Sequence, residues 1–239
     1  GLKVGFADFS AAVRLQHIKV GDSSQSYENR NLTHLVVGSN KMLKTIDARN
    51  CISLGTSQAS QDQVVELANC PIIEEVYFDG TSIKGVTLPD GGMLRVLHLP
   101  GTITTLNIKN QNSITDLTIG GYSNLSTLII ENSNVDARSI INSINAGSRV
   151  RLTGFYWEAE DAEEIEDILD LLDTMIGVDE GGYDVSKAVL SGTIHTDSLT
   201  GAQIASYNAR YPYLTVTADN VTSVLYYKTW DGSSTVKAV

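Results

Sequence analysis

The 239-residue chain has no run approaching eighteen apolar residues, and its first thirty residues lack the basic-then-apolar layout of a signal peptide. No membrane insertion is therefore expected. It is also short of basic residues: 17 Lys and Arg stand against 28 Asp and Glu, a formal net charge of −11. No nucleic-acid partner is expected, because such affinity depends on clustered Lys and Arg that release counterions. The two cysteines, Cys51 and Cys70, are too few for a disulfide scaffold and make no metal-ligand spacing. They are expected as two buried or half-buried thiols, or else as one disulfide. Catalytic motifs are missing too. "LTGFY", "LSGTI" and "LTGAQ" contain no G-x-S-x-G, and no glycine loop of phosphate-binding type is present. Gly91-Gly92, Gly120-Gly121 and Gly181-Gly182 read as turns. Neither an enzyme nor a cofactor is expected.

What the chain has instead is self-similarity. The template L-x-x-L-x-L-x-x-N/C/T begins at Leu15, Leu32, Leu43, Ile73, Leu94, Ile103, Ile114 and Leu125, eight times in about 120 residues. Leu32, Leu35, Val37 and Asn40 form one full copy. Ile73, Val76, Phe78 and Thr81 form another. In each copy the L-x-L pair is expected to point inward from a short strand, and the Asn, Cys or Thr to bond backbone where the chain turns. The intervals of 17, 11, 30, 21, 9, 11 and 11 residues are irregular. Some turns are therefore expected to hold two short strands and others a loop or helix. The 30-residue gap contains "SQDQVVELANC", which reads as a short helix capped by Ser60, with Val64, Val65 and Leu67 on its apolar side.

On these residues, about 12 to 153 resemble a leucine-rich repeat protein. "NCPIIEEVYFDGTSI", "LPDGGMLRVLHLPGTITTLNI" and "SYNARYPYLTVTADNVTSVLYYKTWDG" are also similar to the irregular repeat proteins encoded by gut bacteria and their phages. The resemblance implies an α/β fold: a right-handed leucine-rich-repeat solenoid with a parallel sheet of short strands. It would run over residues 1–219, with irregular short repeats in 1–134 and wider β-helix-β turns in 135–219.

The wider turns rest on periodicity. "VDARSIINSINAG" reads as a helix ending at Gly147. Glu160 to Ile176 reads as another, with Ile165, Ile168, Leu169, Leu172, Met175 and Ile176 on one face and acidic residues on the other. A third helix is expected to begin near Ser198. Residues 220–239 read as a β-hairpin around Asp231-Gly232, either a cap or the start of a further domain.

By template, the outward strand positions form one binding surface: His17, Lys19, His34, Asp47, Glu75, Tyr77, His98, Asn107, Asp116, Thr118 and Thr127, with Val36, Thr45, Val96, Thr105 and Ile129 between them. Tyr77 is its lone aromatic. His17 and His34 would approach each other if their rungs were adjacent, but without a matched carboxylate or thiol no metal site is expected. The acidic helix reads as a solvated face. The resemblance thus implies an interaction or structural module on a bacterial surface or in a phage particle, with a protein or glycan partner. The competing reading is a carbohydrate- or calcium-dependent adhesion module using the acidic helix with Tyr156, Trp157 and Trp230. Oligomeric state is left open.

Overall fold

A computed structural model describes residues 4–23, 29–141, 150, 152–176, 192–210 and 214–221. The hairpin expected around Asp231-Gly232, Trp230, the helix end at Gly147 and the Gly181-Gly182 turn lie outside the described residues.

Each L-x-x-L-x-L segment places two aliphatic side chains on one side of a strand of only three to five residues, far too little to stand alone. The strands stack accordingly. In chain order they are β1 (Phe6–Asp8), β2 (His17–Lys19), β3 (His34–Val36), β4 (Thr45–Asp47), β5 (Val64–Glu66), β6 (Glu75–Tyr77) and β7 (Gly85–Thr87). Then follow β8 (Val96–Leu99), β9 (Thr105–Lys109), β10 (Asp116–Ile119), β11 (Thr127–Glu131), β12 (Gly154–Ala159), β13 (Gly192–Thr196) and β14 (Leu214–Ala218). The architecture is mixed α/β, with parallel sheets, few helices and no closed barrel.

From β1 to β11 consecutive strands alternate between two series. The even strands form one sheet in the order β2-β4-β6-β8-β10. The odd strands form a β1-β3 pair, a β5-β7 pair and a sheet ordered β9-β11-β12-β13-β14. Successive template copies are therefore not successive rungs. "ITDLTIGGY" becomes β10 and "LSTLIIENS" becomes β11, and the two strands belong to different sheets. Within the even sheet, register partners His17, Thr45, Glu75, Val96 and Asp116 stand 28, 30, 21 and 20 residues apart.

Register makes the core continuous. Ile18, Ile46, Val76 and Leu97 align on the even sheet, and Ile108, Ile130, Trp157, Ile194 and Val216 on the odd. All nine are buried in one hydrophobic cluster. Full burial of each large aliphatic contributes about 1.5–3 kcal/mol. The ninth template position is buried at Asn40, Cys51, Thr81, Gln111 and Tyr122, as is Cys70 after β5, and half-buried at Thr102 and Ser133. Several of these side chains, or their neighbours, donate to the backbone of the preceding coil. Gln111 Nε2 donates to the Pro89 carbonyl at 2.7 Å, Ser133 Oγ to that of Gln111 at 3.0 Å and Asn50 Nδ2 to that of Asp22 at 2.7 Å.

The "SQDQVVELANC" segment does not form the expected helix. A 3-10 turn at Ser60–Gln63, without a side-chain cap, leads straight into β5. The β-branched pair Val64-Val65 favours the strand, and Val65 and Leu67 enter the core. The C-terminal helices do form. Helix α1 (Ala137–Ile141) lies between β11 and β12, α2 (Ala162–Ile176) between β12 and β13, and α3 (Gly201–Arg210) between β13 and β14. Thr200 and Gln203 close a capping box on α3, Oγ1 of Thr200 accepting from the Gln203 N–H at 3.2 Å and Oε1 of Gln203 accepting from the Thr200 N–H at 2.9 Å. Asp161 caps α2 by accepting from the N–H groups of Glu163 and Glu164 at 2.9 and 3.0 Å.

Two corners yield predictions. A Cβ at Gly21 would lie 2.2 Å from the Arg49 carbonyl oxygen, so adjacent coils touch backbone to backbone there. Gly21→Ala is expected to destabilise the fold by about 3 kcal/mol, read as a lowered midpoint in urea unfolding. Cys51 and Cys70 are free buried thiols and do not form the alternative disulfide. Burial pushes the Cys51 thiol up to about 11 and raises that of Cys70 as well. Neither is expected to react with Ellman's reagent at pH 8 until the protein is unfolded, whereupon two thiols per chain titrate.

Candidate functional site

Parallel register gathers eight of the eleven outward residues on the even sheet. His17, Glu75 and Asp116 lie in one column with Thr45 and Val96. Lys19, Asp47, Tyr77, His98 and Thr118 form the adjacent column. The other three are elsewhere. His34 is on β3, Asn107 on β9 and Thr127 on β11, all in the odd series, so the single expected surface is divided between two. His17 and His34 are not neighbours on one sheet, since their strands belong to different sheets. His34 instead bonds Asp62 through Nδ1 at 2.7 Å and stacks on Phe6 with ring centres 4.9 Å apart. Thr127 packs under Gly154, where an added Cβ would come within 3.3 Å of its side chain.

On the even face the side chains interlock across coils. Arg49 makes a two-pronged contact with Asp47, Nε to Oδ1 at 3.0 Å and Nη2 to Oδ2 at 2.7 Å. The same guanidinium lies 4.6 Å from the centre of the Tyr77 ring. The Tyr77 hydroxyl donates to Glu75 at 3.2 Å, and Arg95 reaches Glu75 at 2.9 Å. Tyr77 meets the His98 ring edge-on, centres 5.2 Å apart. His98 sits between two carboxylates, Nε2 at 3.0 Å from Asp116 and Nδ1 at 3.4 Å from Asp79. Lys19 closes the first coil on Asp22 at 2.8 Å. Burial, together with the Glu75 charge, raises the Tyr77 hydroxyl, and its bond to Asp47 raises the Arg49 guanidinium.

On this face most of the named charges meet a group of opposite sign, whereas Asp79 Oδ2 is buried without a hydrogen bond, with His98 at 3.4 Å. Among the described residues, no cluster of three or more His, Cys, Asp or Glu could hold a metal ion. Arg49, Asp79 and Arg95 were not among the outward template positions, because they stand just past or just before a strand. The signal that could have found them is repetition: Arg49 and Asp79 each lie two residues after the ends of register-paired strands.

The acidic side of α2 is largely exposed, and its carboxylates also meet arginines of the neighbouring helices. Arg138 of α1 pairs with Asp167 and, at 3.5 Å, with Asp170. Arg210 of α3 pairs with Glu166 at 3.0 Å, Asp170 at 3.5 Å and Asp173 at 2.8 Å. The carboxylates tie three helices side by side. Near its start, Glu164 accepts from the Trp157 indole at 3.2 Å and from the Glu160 N–H at 2.7 Å, and burial raises its carboxyl. Trp157 is fully buried, which removes it as a sugar-stacking platform. No described helix is long and apolar enough to cross a membrane.

Comparison with protein-family models, with curated proteins and with solved structures found no match.

The Arg49–Tyr77 contact bridges two coils, so it should couple their stability. A double-mutant cycle of Arg49→Met and Tyr77→Leu is expected to give an interaction of about 0.5–1 kcal/mol. Urea unfolding of the four proteins measures it, and additive effects would show the stacking to be energetically idle.

Proposed function

We propose that the chain is a non-enzymatic binding or structural module, a right-handed leucine-rich-repeat solenoid that offers the outer face of the β2–β10 sheet to a protein partner, on a bacterial surface or in a phage particle. One observation carries this reading: register brings Arg49, from the turn after β4, together with Tyr77 and His98 on adjacent strands. Arginine and tyrosine are the residue types that most often anchor protein interfaces. Here Tyr77 is held by Glu75 on a strand, and Arg49, in the turn after β4, is held by Asp47, so little side-chain freedom is lost on docking.

The alternation of parallel strands between two series supports the solenoid, since parallel neighbours must be reached by crossover connections. The strong preference of such crossovers for the right hand supports that part of the reading. The fold does not give the function by itself; the surface chemistry supports the reading. An open sheet whose side chains interlock suits recognition by shape and hydrogen bonding. The adhesion alternative draws no support from the α2 carboxylates, which are engaged by Arg138 and Arg210, or from the buried Trp157.

The test compares the immobilised chain with its Arg49→Glu, Tyr77→Ala double variant. Proteins captured from bacterial and phage lysates are identified and then titrated in pure form. The double variant is expected to bind at least about tenfold more weakly with circular dichroism unchanged, one anchor residue being worth about 1.4 kcal/mol or more. Equal affinity for both proteins, or calcium-dependent capture on a glycan array with no protein partner, overturns the proposal.

A further inference from the structure

The odd series is interrupted between β7 and β9. These strands run side by side, yet they belong to different sheets and share no ladder. The N–H groups of Thr104 and Thr105 both reach the Lys84 carbonyl, at 2.9 and 3.4 Å, and pairing stops there. Beyond that point the strands part around a cavity of about 170 Å³ lined by Val86, Leu88, Pro89, Asp90, Asn107 and Lys109 among others. The other interruption, between β3 and β5, is bridged by the His34–Asp62 pair at 2.7 Å.

Burial marks the same place independently. Val86 and Leu88 pack against the core and occupy the L-x-L positions of their coil, but both are only half-buried. Their counterparts on the flanking coils are closed off: Val65 and Leu67 are 2% and 0% exposed, and Leu106 and Ile108 are 3% and 0% exposed. The gap thus opens a short channel from the outer face to core aliphatics. Its rim is polar, with the exposed Asn107 carboxamide, Asp90, and Lys109 paired to Glu131 at 2.7 Å.

We propose that this gap is an anchor slot for a protein partner, taking one apolar side chain from an extended segment while Asn107 hydrogen-bonds that segment's backbone. Size selects the occupant. Pockets for small molecules and cofactors hold about 300–1,000 Å³, whereas this cavity, at about 170 Å³, suits a single side chain. Lined by aliphatic groups below and hydrogen-bonding groups above, it matches an apolar residue flanked by peptide groups, the form in which interface anchors fill pockets. An anionic partner fits poorly, because the one ammonium at the rim is already paired to Glu131. The inference rests on the reading of the chain as a protein-binding module and adds a second contact point, on the other strand series.

The test uses a random linear peptide library selected against the immobilised full chain. Enriched peptides are titrated against wild type, Asn107→Trp and Tyr77→Ala. Tryptophan at this exposed strand position covers the slot and is well accepted in a strand; a circular-dichroism melt of each variant checks folding. The expected result is a family of peptides sharing one apolar residue that loses at least tenfold in affinity to Asn107→Trp, keeps it in Tyr77→Ala, and shifts the Val86 and Leu88 methyl resonances. Peptides that lose affinity only to Tyr77→Ala overturn the slot and leave the binding-module reading standing. Selection that enriches nothing on either surface overturns both. Methyl glycosides that shift the same methyl resonances when the peptides do not would overturn the choice of a side chain as occupant.

Discussion

The described strands depend on parallel register with their neighbours. A three-residue strand such as Thr45–Asp47 has no stability of its own. It persists because Ile46 is clamped between Ile18 and Val76 on adjacent coils, while its outward neighbours fall into line with theirs. A slip of one residue would turn every aliphatic of that strand outward and break the polar columns as well. The same geometry that buries the core therefore builds the Asp47–Arg49–Tyr77–His98 network on the surface. Stability and surface chemistry are two sides of one alignment.

That alignment is reinforced at the corners, where polar groups are forced indoors. A coil must turn between strands, and its backbone must find partners as it does so. Asn110 and Asn132, both with positive φ, share a carboxamide bond of 2.7 Å that runs on to Asp90 at 2.5 Å. Asparagine tolerates the left-handed conformation and carries both a donor and an acceptor, so it suits such a corner better than an alanine would. Asn40 is an outlier: its side-chain nitrogen and oxygen are both buried with no hydrogen bond, and these contacts supply no physical account of it.

The L-x-x-L-x-L spacing was legible because inward aliphatics recur wherever a strand faces the core. What it could not reveal is which sheet a copy joins, since both strand series present the same spacing. For the same reason the eleven surface residues read as one face and proved to be two. Strand β5 was misread because Asp62 stands where the template wants an aliphatic. Strand β7 was passed over although Ile83, Val86 and Leu88 keep the spacing, because Lys84-Gly85 has the texture of a turn. The amphipathic pattern of α2 located that helix well, but the partners of its carboxylates, Arg138 and Arg210, come from segments 29 to 44 residues away and carry no local signal.

The change from paired strands to helices after β10 also has a physical logic. Beyond Ile119 no further described strand joins the even sheet, while the odd sheet continues through β12, β13 and β14. Side chains there are larger, with Phe155 and Trp157 in the columns that Leu106 and Ile108 began. A helix such as α2, with Ile165, Ile168, Leu169 and Leu172 buried, covers more apolar surface per coil than a three-residue strand. Room must still be made: a Cβ on Gly192 would lie 2.7 Å from that of Phe155, so the register partner of the phenylalanine has none. At β14 the edge is blunted from within the chain. Asn208 of α3 accepts from the Val216 N–H at 2.8 Å and donates to the Val216 carbonyl at 3.3 Å, occupying the backbone groups that another strand would need. Asn208 thus occupies backbone groups of β14 that strand pairing would use, whereas β7 and β9 part without a shared ladder.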